Sequence, residues 1–190
     1  NVGACADPVV LERVARTAEA AGFESLWTGE HIVLPDPHQA PSPSPPETPF
    51  LDSAVALTFA AAHTARVKLG TGIALLSQRD PIVTAKSVAS LDQLSGGRII
   101  FGIGAGWNAE EMENHGTPFK KRWKVLREKI EAMKEIWTKE NAEYHGEFVN
   151  FDPIWCHPKP VQKPQPPILL GVHSGNGLNR VVNYCDGWIP

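Results

Sequence analysis

The residue types able to do chemistry gather in four short segments: Glu30-His31, Thr71-Gly72-Ile73, Gly104-Ala105-Gly106-Trp107-Asn108 and Gly171-Val172-His173-Ser174-Gly175. Each follows a run of apolar residues. Histidine titrates near neutral pH, so His31 is a candidate to give or take a proton at a substrate or cofactor, with the adjacent Glu30 tuning it. The same histidine could simply cap a strand end by bonding to a neighbouring loop, and position alone leaves both roles open. Three of the segments are rich in glycine, which lets a flat ligand approach the backbone closely. The segment Gly171 to Gly175 precedes a helical pattern, so free N–H groups there could hold a phosphate with help from the Ser174 hydroxyl. Gly102, Gly104 and Gly106 suggest a dinucleotide fingerprint, but G-x-G-x-x-G fails at Trp107, and the residues after it read as an acidic, polar turn. Arg79 could meet an anion or form a surface ion pair. Lys120-Lys121-Arg122 reads as a solvated first helical turn, and Met133 and the tryptophans as core. The seven histidines show no HExxH spacing and Cys5, Cys156 and Cys185 no CxxC, so neither a metal site nor a disulfide framework is expected.

The elements that must position these residues are also marked. Asp7-Pro8 and Asp80-Pro81 are helix starts, an N-cap carboxylate followed by a proline at the first helical position. Asp52 caps an alanine-rich helix running to about His63, and Phe119 to Trp137 carries an amphipathic stripe of Trp123, Leu126, Ile130, Met133 and Trp137. Apolar strands are expected at 23–28, 67–76, 98–104, 168–171 and 187–189, with a last helix at 177–185. Strict alternation of helix and apolar strand implies a parallel sheet covered by helices, either an open doubly wound sheet or a (β/α)8 barrel. In both, ligands bind at the C-terminal ends of the strands. Two stretches interrupt the alternation. A loop at 35–49 holds seven of the 17 prolines, and an excursion at 142–167 includes a turn at His145-Gly146-Glu147 between hairpin strands.

The 190 residues suit one domain, and 18 basic against 21 acidic side chains give a net charge of -3, too balanced for a nucleic-acid partner. No apolar run approaches the roughly 20 residues of a membrane span, and no signal peptide is visible, so a cytoplasmic protein acting on a small-molecule substrate is expected.

Taken together, Gly29-Glu30-His31, Leu69-Gly70-Thr71-Gly72, Arg79-Asp80-Pro81, Leu91 to Arg98, Gly104 to Glu111, Pro158 to Gln162 and Cys185 to Pro190 resemble, in order, the luciferase-like monooxygenase superfamily. They are most similar to its branch of F420-dependent oxidoreductases. The resemblance implies a (β/α)8 TIM-type barrel, incomplete here with about strands two to six present in a single domain over 1–190. It implies coenzyme F420, or FMN in sister branches, at the C-terminal mouth. A catalytic pair, His31 and Glu30, would lie beside the ring, and a non-prolyl cis peptide at Gly72–Ile73 would pack behind it. Thr71, Gly72, Ile73, Gly104, Gly106, Trp107, Asn108, Gly171, Ser174 and Gly175 are the cofactor-binding residues it suggests, the last three at the phosphate. Trp107 and Asn108 stand where some sugar-phosphate dehydrogenases of this kind carry a glutamate, which argues against sugar-phosphate oxidation. The implied function is hydride transfer from reduced F420 to a small organic substrate. The alternatives are an FMN monooxygenase activating O2, or a non-catalytic cofactor-binding or inert fragment. Open sheet edges predict a homodimer or higher oligomer.

Overall fold

The computed structural model describes residues 1–38, 44–173 and 175–190. Part of the proline-rich loop, and Ser174, lie outside that set. Three helices open on aspartates whose carboxylates accept free backbone N–H groups. Asp7 takes Val9 and Val10 ahead of α1 (Pro8–Ala20), Asp52 takes Val55 ahead of α2 (Ser53–Ala62), and Asp80 takes Val83 ahead of α3 (Pro81–Ser95). Between and after them run strands β1 (Ser25–Thr28), β2 (Lys68–Thr71), β3 (Ala74–Leu75) and β4 (Ile99–Gly104). The chain continues through α4 (Ala109–Asn114), α5 (Arg122–Thr138), an antiparallel hairpin β5 (Asn141–His145) and β6 (Asn150–Trp155), then β7 (Ile168–Gly171), α6 (Asn176–Tyr184) and β8 (Gly187–Ile189).

The sheet runs β1-β2-β4-β7-β8, every pair parallel, with β3 beside β4. A doubly wound sheet reverses its strand order at a switch point. Here each later strand adds on the same side, which is the winding of a (β/α)8 barrel. The fold is therefore α/β of that type, incomplete, with no closed barrel among the described residues.

Alternation along the strands separates two faces. Leu69, Ile99, Phe101, Ile103, Ile168 and Leu170 are buried under the helices, against Ala15 of α1, Leu57 of α2, Leu91 of α3 and Leu126, Ile130 and Trp137 of α5. Each such fully buried aliphatic side chain contributes about 1.5–3 kcal/mol. On the other face Trp27 lies so close over Gly70 that a Cβ there would come within 2.3 Å of its Cε3.

Two expectations need correction. The apolar run at 67–76 is not one interrupted strand. The Gly72–Ile73 peptide is cis, and the chain bends there between β2 and β3. The acidic stretch after Asn108 is not a turn but helix α4, held because Met112 is fully buried. The hairpin of the 142–167 excursion folds back on α5, where the Glu128 carboxylate accepts Phe148 N and Val149 N. No described helix is long and apolar enough to cross a membrane.

Candidate active site

A cavity of about 870 Å³ opens at the C-terminal ends of the parallel strands, within the usual size range of small-molecule and cofactor pockets. Of the residues singled out from sequence, Glu30, His31, Gly72, Ile73, Gly106, Trp107, Asn108 and Gly171 line it. Thr71, Gly104 and Gly175 do not, and Ser174 lies outside the described residues.

His31 is held by a partner far along the chain. Its Nδ1 lies 3.0 Å from Glu111 Oε2, 80 residues away, and the other Glu111 oxygen accepts Ile32 N at 3.0 Å. The Glu111 side chain is 1% exposed, so this carboxylate is committed to the histidine and its neighbour. Phe50 and Trp107 meet the imidazole edge-on, with centroids at 5.4 and 5.8 Å. With Nδ1 engaged, Nε2 is the nitrogen left for a ligand.

Glu30 is engaged by groups other than His31. It is 2% exposed, accepts Leu75 N at 2.7 Å, and is forked by the Arg79 guanidinium through Nε at 3.1 Å and through Nη2. Arg79 also reaches Asp52 Oδ2 at 2.6 Å. Burial opposes the charge on Arg79, but the bonds to Glu30 and Asp52 outweigh it and raise the pKa above the ordinary value. Asp52 is lowered, because Arg79 and the α2 N–H groups overcome its own partial burial. Arg79 is thus a half-buried strut that ties the buried Glu30 carboxylate after β1 to the more exposed Asp52 at the start of α2.

The bend at Gly72–Ile73 forms the cavity floor. The Ile73 side chain turns away from the mouth into space left open by two glycines. A Cβ on Gly104 would stand 1.8 Å from Ile73 Cδ1, and one on Gly171 would stand 3.0 Å from Cγ2. Gly104 therefore makes room for Ile73 rather than for a ligand. Thr71 is occupied as well, its hydroxyl donating to Gly102 O at 2.6 Å inside the sheet. Behind the bend, Lys129 donates to Ser77 O and Arg79 O at 2.8 and 2.7 Å. Burial pushes its pKa down to about 8 despite nearby Asp80.

The far end of the cavity is cationic. Lys120 and Lys121 lie in a 3₁₀ turn and face solvent, as expected, whereas Arg122 turns inward. Its Cζ stacks 3.8 Å from the Phe119 ring centroid, Nη1 donates to Phe119 O at 3.0 Å, and Nε is buried without a partner among the described residues. Arg180 of α6 stacks on Trp123 at 4.3 Å, and Arg122 lies 5.8 Å from that same ring. Among the described residues neither arginine has a carboxylate within ion-pair distance. Burial lowers the Arg122 pKa, and the like charge of Arg180 adds to the effect. At the start of α6, Gly175 holds φ +61, and among the described residues no side chain caps the helix.

Arg122, Arg180 and Phe50 carry no motif of their own. A signal for Glu111 did exist. Asn108-Ala109-Glu110-Glu111 has capping-box spacing, and Asn108 Oδ1 accepts Glu111 N at 2.9 Å. The second half of the box is diverted, since the glutamate reaches His31 instead of folding back to its own cap.

A family model described as luciferase-like monooxygenase matches residues 6–190. The chain belongs to that family. It is 44% identical over 184 residues to an uncharacterised protein of Mycobacterium tuberculosis strain H37Rv, covering 92% of this chain and 65% of the relative. It is 33% identical over 177 residues to the oxygenase component of the flavin-dependent trigonelline monooxygenase of Acinetobacter baylyi, covering 91% of this chain and 46% of the relative. Among solved structures, the coenzyme F420-dependent tetrahydromethanopterin reductase of Methanopyrus kandleri superposes with a TM-score of 0.76 at 25% identity, covering 96% of this chain and 52% of the other. The chain spans less than two thirds of the length of these relatives. The family holds flavin- and F420-dependent oxidoreductases and monooxygenases.

Proposed function

We propose that the cavity binds a reduced flavin-type cofactor, F420 on the sequence resemblance or FMN as its alternative, and that the whole protein is an oxidoreductase acting on a small organic molecule. The observation that carries this reading is the arrangement of one cavity: a histidine–carboxylate pair near one wall, the Gly72–Ile73 bend as floor, and unneutralised arginines at the other end. The residues present suit such a group. The aromatic edges of Phe50 and Trp107 and the backbone floor match a flat heterocycle, and buried Arg122 Nε lacks an acceptor that a phosphate could supply.

When bound, the reduced ring supplies a hydride or, for FMN, electrons to oxygen. This chain's residues do the rest. The Gly72–Ile73 backbone and Trp107 hold a planar ligand and exclude water from its faces. Glu111 accepts a hydrogen bond from His31 Nδ1, fixing the ring, so that Nε2 holds or releases a proton at the ligand edge. Arg122 anchors a phosphate, and Arg79 keeps Glu30 and the bend in place from behind.

The test is an absorbance titration of the purified chain with FMN and with F420, followed by oxygen consumption under reducing conditions. Saturable binding of either cofactor supports the reading, and oxygen uptake selects the monooxygenase form. Absence of binding to both contradicts it.

A further inference from the structure

The arginine pair at the end of the cavity goes further, on the reading that the cavity holds a flavin-type cofactor. Two guanidinium groups share the Trp123 ring, one stacked at 4.3 Å and the other at 5.8 Å. Two cations held together in a partly buried place repel each other, and among the described residues no carboxylate offsets them. Like charges so placed destabilise the free protein unless an anion of matching charge sits between them. Stacking on Phe119 and Trp123 fixes both guanidinium planes in advance, so little rotamer entropy is lost when an anion arrives. One arginine suffices for a singly charged phosphodiester. The second has a counterpart only if the ligand brings a second negative charge to the same spot.

We propose that Arg180 is a specificity residue which, with Arg122, forms a seat for a dianionic phosphomonoester, and so favours a cofactor ending in a terminal phosphate, as FMN does, over one whose phosphate is esterified on both sides, as in F420. Arg122 provides the anchor common to both. Arg180 discriminates by charge and leaves the ring end of the cavity untouched.

The experiment measures the affinities of the purified chain for FMN, riboflavin and F420 by fluorescence quenching, in wild type, Arg180→Gln and Arg180→Lys, with melting curves confirming that each variant folds. The expected result is that Arg180→Gln weakens FMN about tenfold or more, the loss of one charge-assisted contact, with riboflavin unchanged and F420 weakened much less. Arg180→Lys retains part of the FMN affinity. The wild-type preference for FMN over riboflavin falls as pH drops below about 6, where the phosphomonoester dianion takes up a proton and becomes a monoanion, and this dependence flattens in Arg180→Gln. Equal losses for FMN and F420, or no loss for FMN, overturn the proposal while leaving a flavin-binding cavity standing. Inorganic phosphate that binds the FMN-loaded protein through Arg180 assigns the seat to a substrate and overturns the cofactor assignment. A wild type that binds none of the three ligands removes the functional reading itself.

Discussion

In the proposed function His31 carries a proton, and the group that positions it for this is Glu111, reached only by folding. A carboxylate on Nδ1 fixes the imidazole orientation and leaves Nε2 for a ligand. Glu111→Gln keeps the shape and removes the charge. It is expected to lower turnover about tenfold or more at saturating substrate with cofactor affinity little changed, and His31→Gln to lower it by about a hundredfold or more, the range of a lost acid–base group. Steady-state kinetics with cofactor titrations on the same samples check both. Arg79 belongs to a different class, because its removal leaves the 2%-exposed Glu30 carboxylate unpaired. Arg79→Ala should therefore destabilise by about 3 kcal/mol in urea unfolding, with Arg79→Lys recovering part. Sequence alone paired Glu30 with His31 because adjacency is the only distance a sequence displays. In the fold both residues line the cavity, but the Glu30 carboxylate is held by Leu75 N and Arg79 while His31 is held by Glu111. Arg122 was hidden for a related reason: its neighbours Lys120 and Lys121 are solvated, and only the 3₁₀ turn before α5 rotates the third charge inward.

At the scale of elements, local rules were reliable wherever the stabilising group lay within a few residues. The aspartate N-caps at Asp7, Asp52 and Asp80 are all in place, each bonded to the N–H groups that motivated it. Long-range devices were not readable from residue types alone, and the cis peptide at Gly72–Ile73 was expected only from the family resemblance. The bend between β2 and β3 depends on space left on the neighbouring strand β4, so Gly104→Ala should push Ile73 aside, at about 1–3 kcal/mol for overpacking, and weaken ligand binding as the floor shifts. Ile73→Val removes Cδ1, the atom 1.8 Å from the new methyl. The double variant should therefore be more stable than the two single losses predict, a positive coupling that a double-mutant cycle in urea measures. A second device ties α1 to the start of β2. Glu19 accepts Ala65 N, Arg66 N and Val67 N, and these bonds hold its pKa at about 2 instead of 4.5. A depressed carboxylate stabilises the fold fully above the unfolded value and loses that contribution as pH falls through the folded one. The urea midpoint of Glu19→Gln should therefore differ from wild type most above pH 4.5, and the two curves should converge toward about pH 2. Parallel curves across that window would contradict the assignment.

For the whole molecule, strand order decides what composition could not. Alternating helices and apolar strands allow two windings, and the unreversed order β1-β2-β4-β7-β8 leaves one. That winding carries the ends of β1, β3, β4, β7 and β8 to a common mouth, which is why residues from positions 30 to 180 share one cavity. A ligand that binds there and not to the unfolded chain must stabilise the fold, by about 2.7 kcal/mol at a hundred times its Kd. A thermal melt with saturating FMN or F420 should rise by several degrees, and the rise should shrink in Arg122→Ala. The most direct measurement of the central claim is a crystal structure of the chain with the bound cofactor. The account predicts the tricyclic ring against the Gly72–Ile73 backbone, one edge within hydrogen-bond reach of His31 Nε2, and the phosphate on Arg122. A ring bound outside this cavity, or seated with its phosphate beside His31, would contradict it.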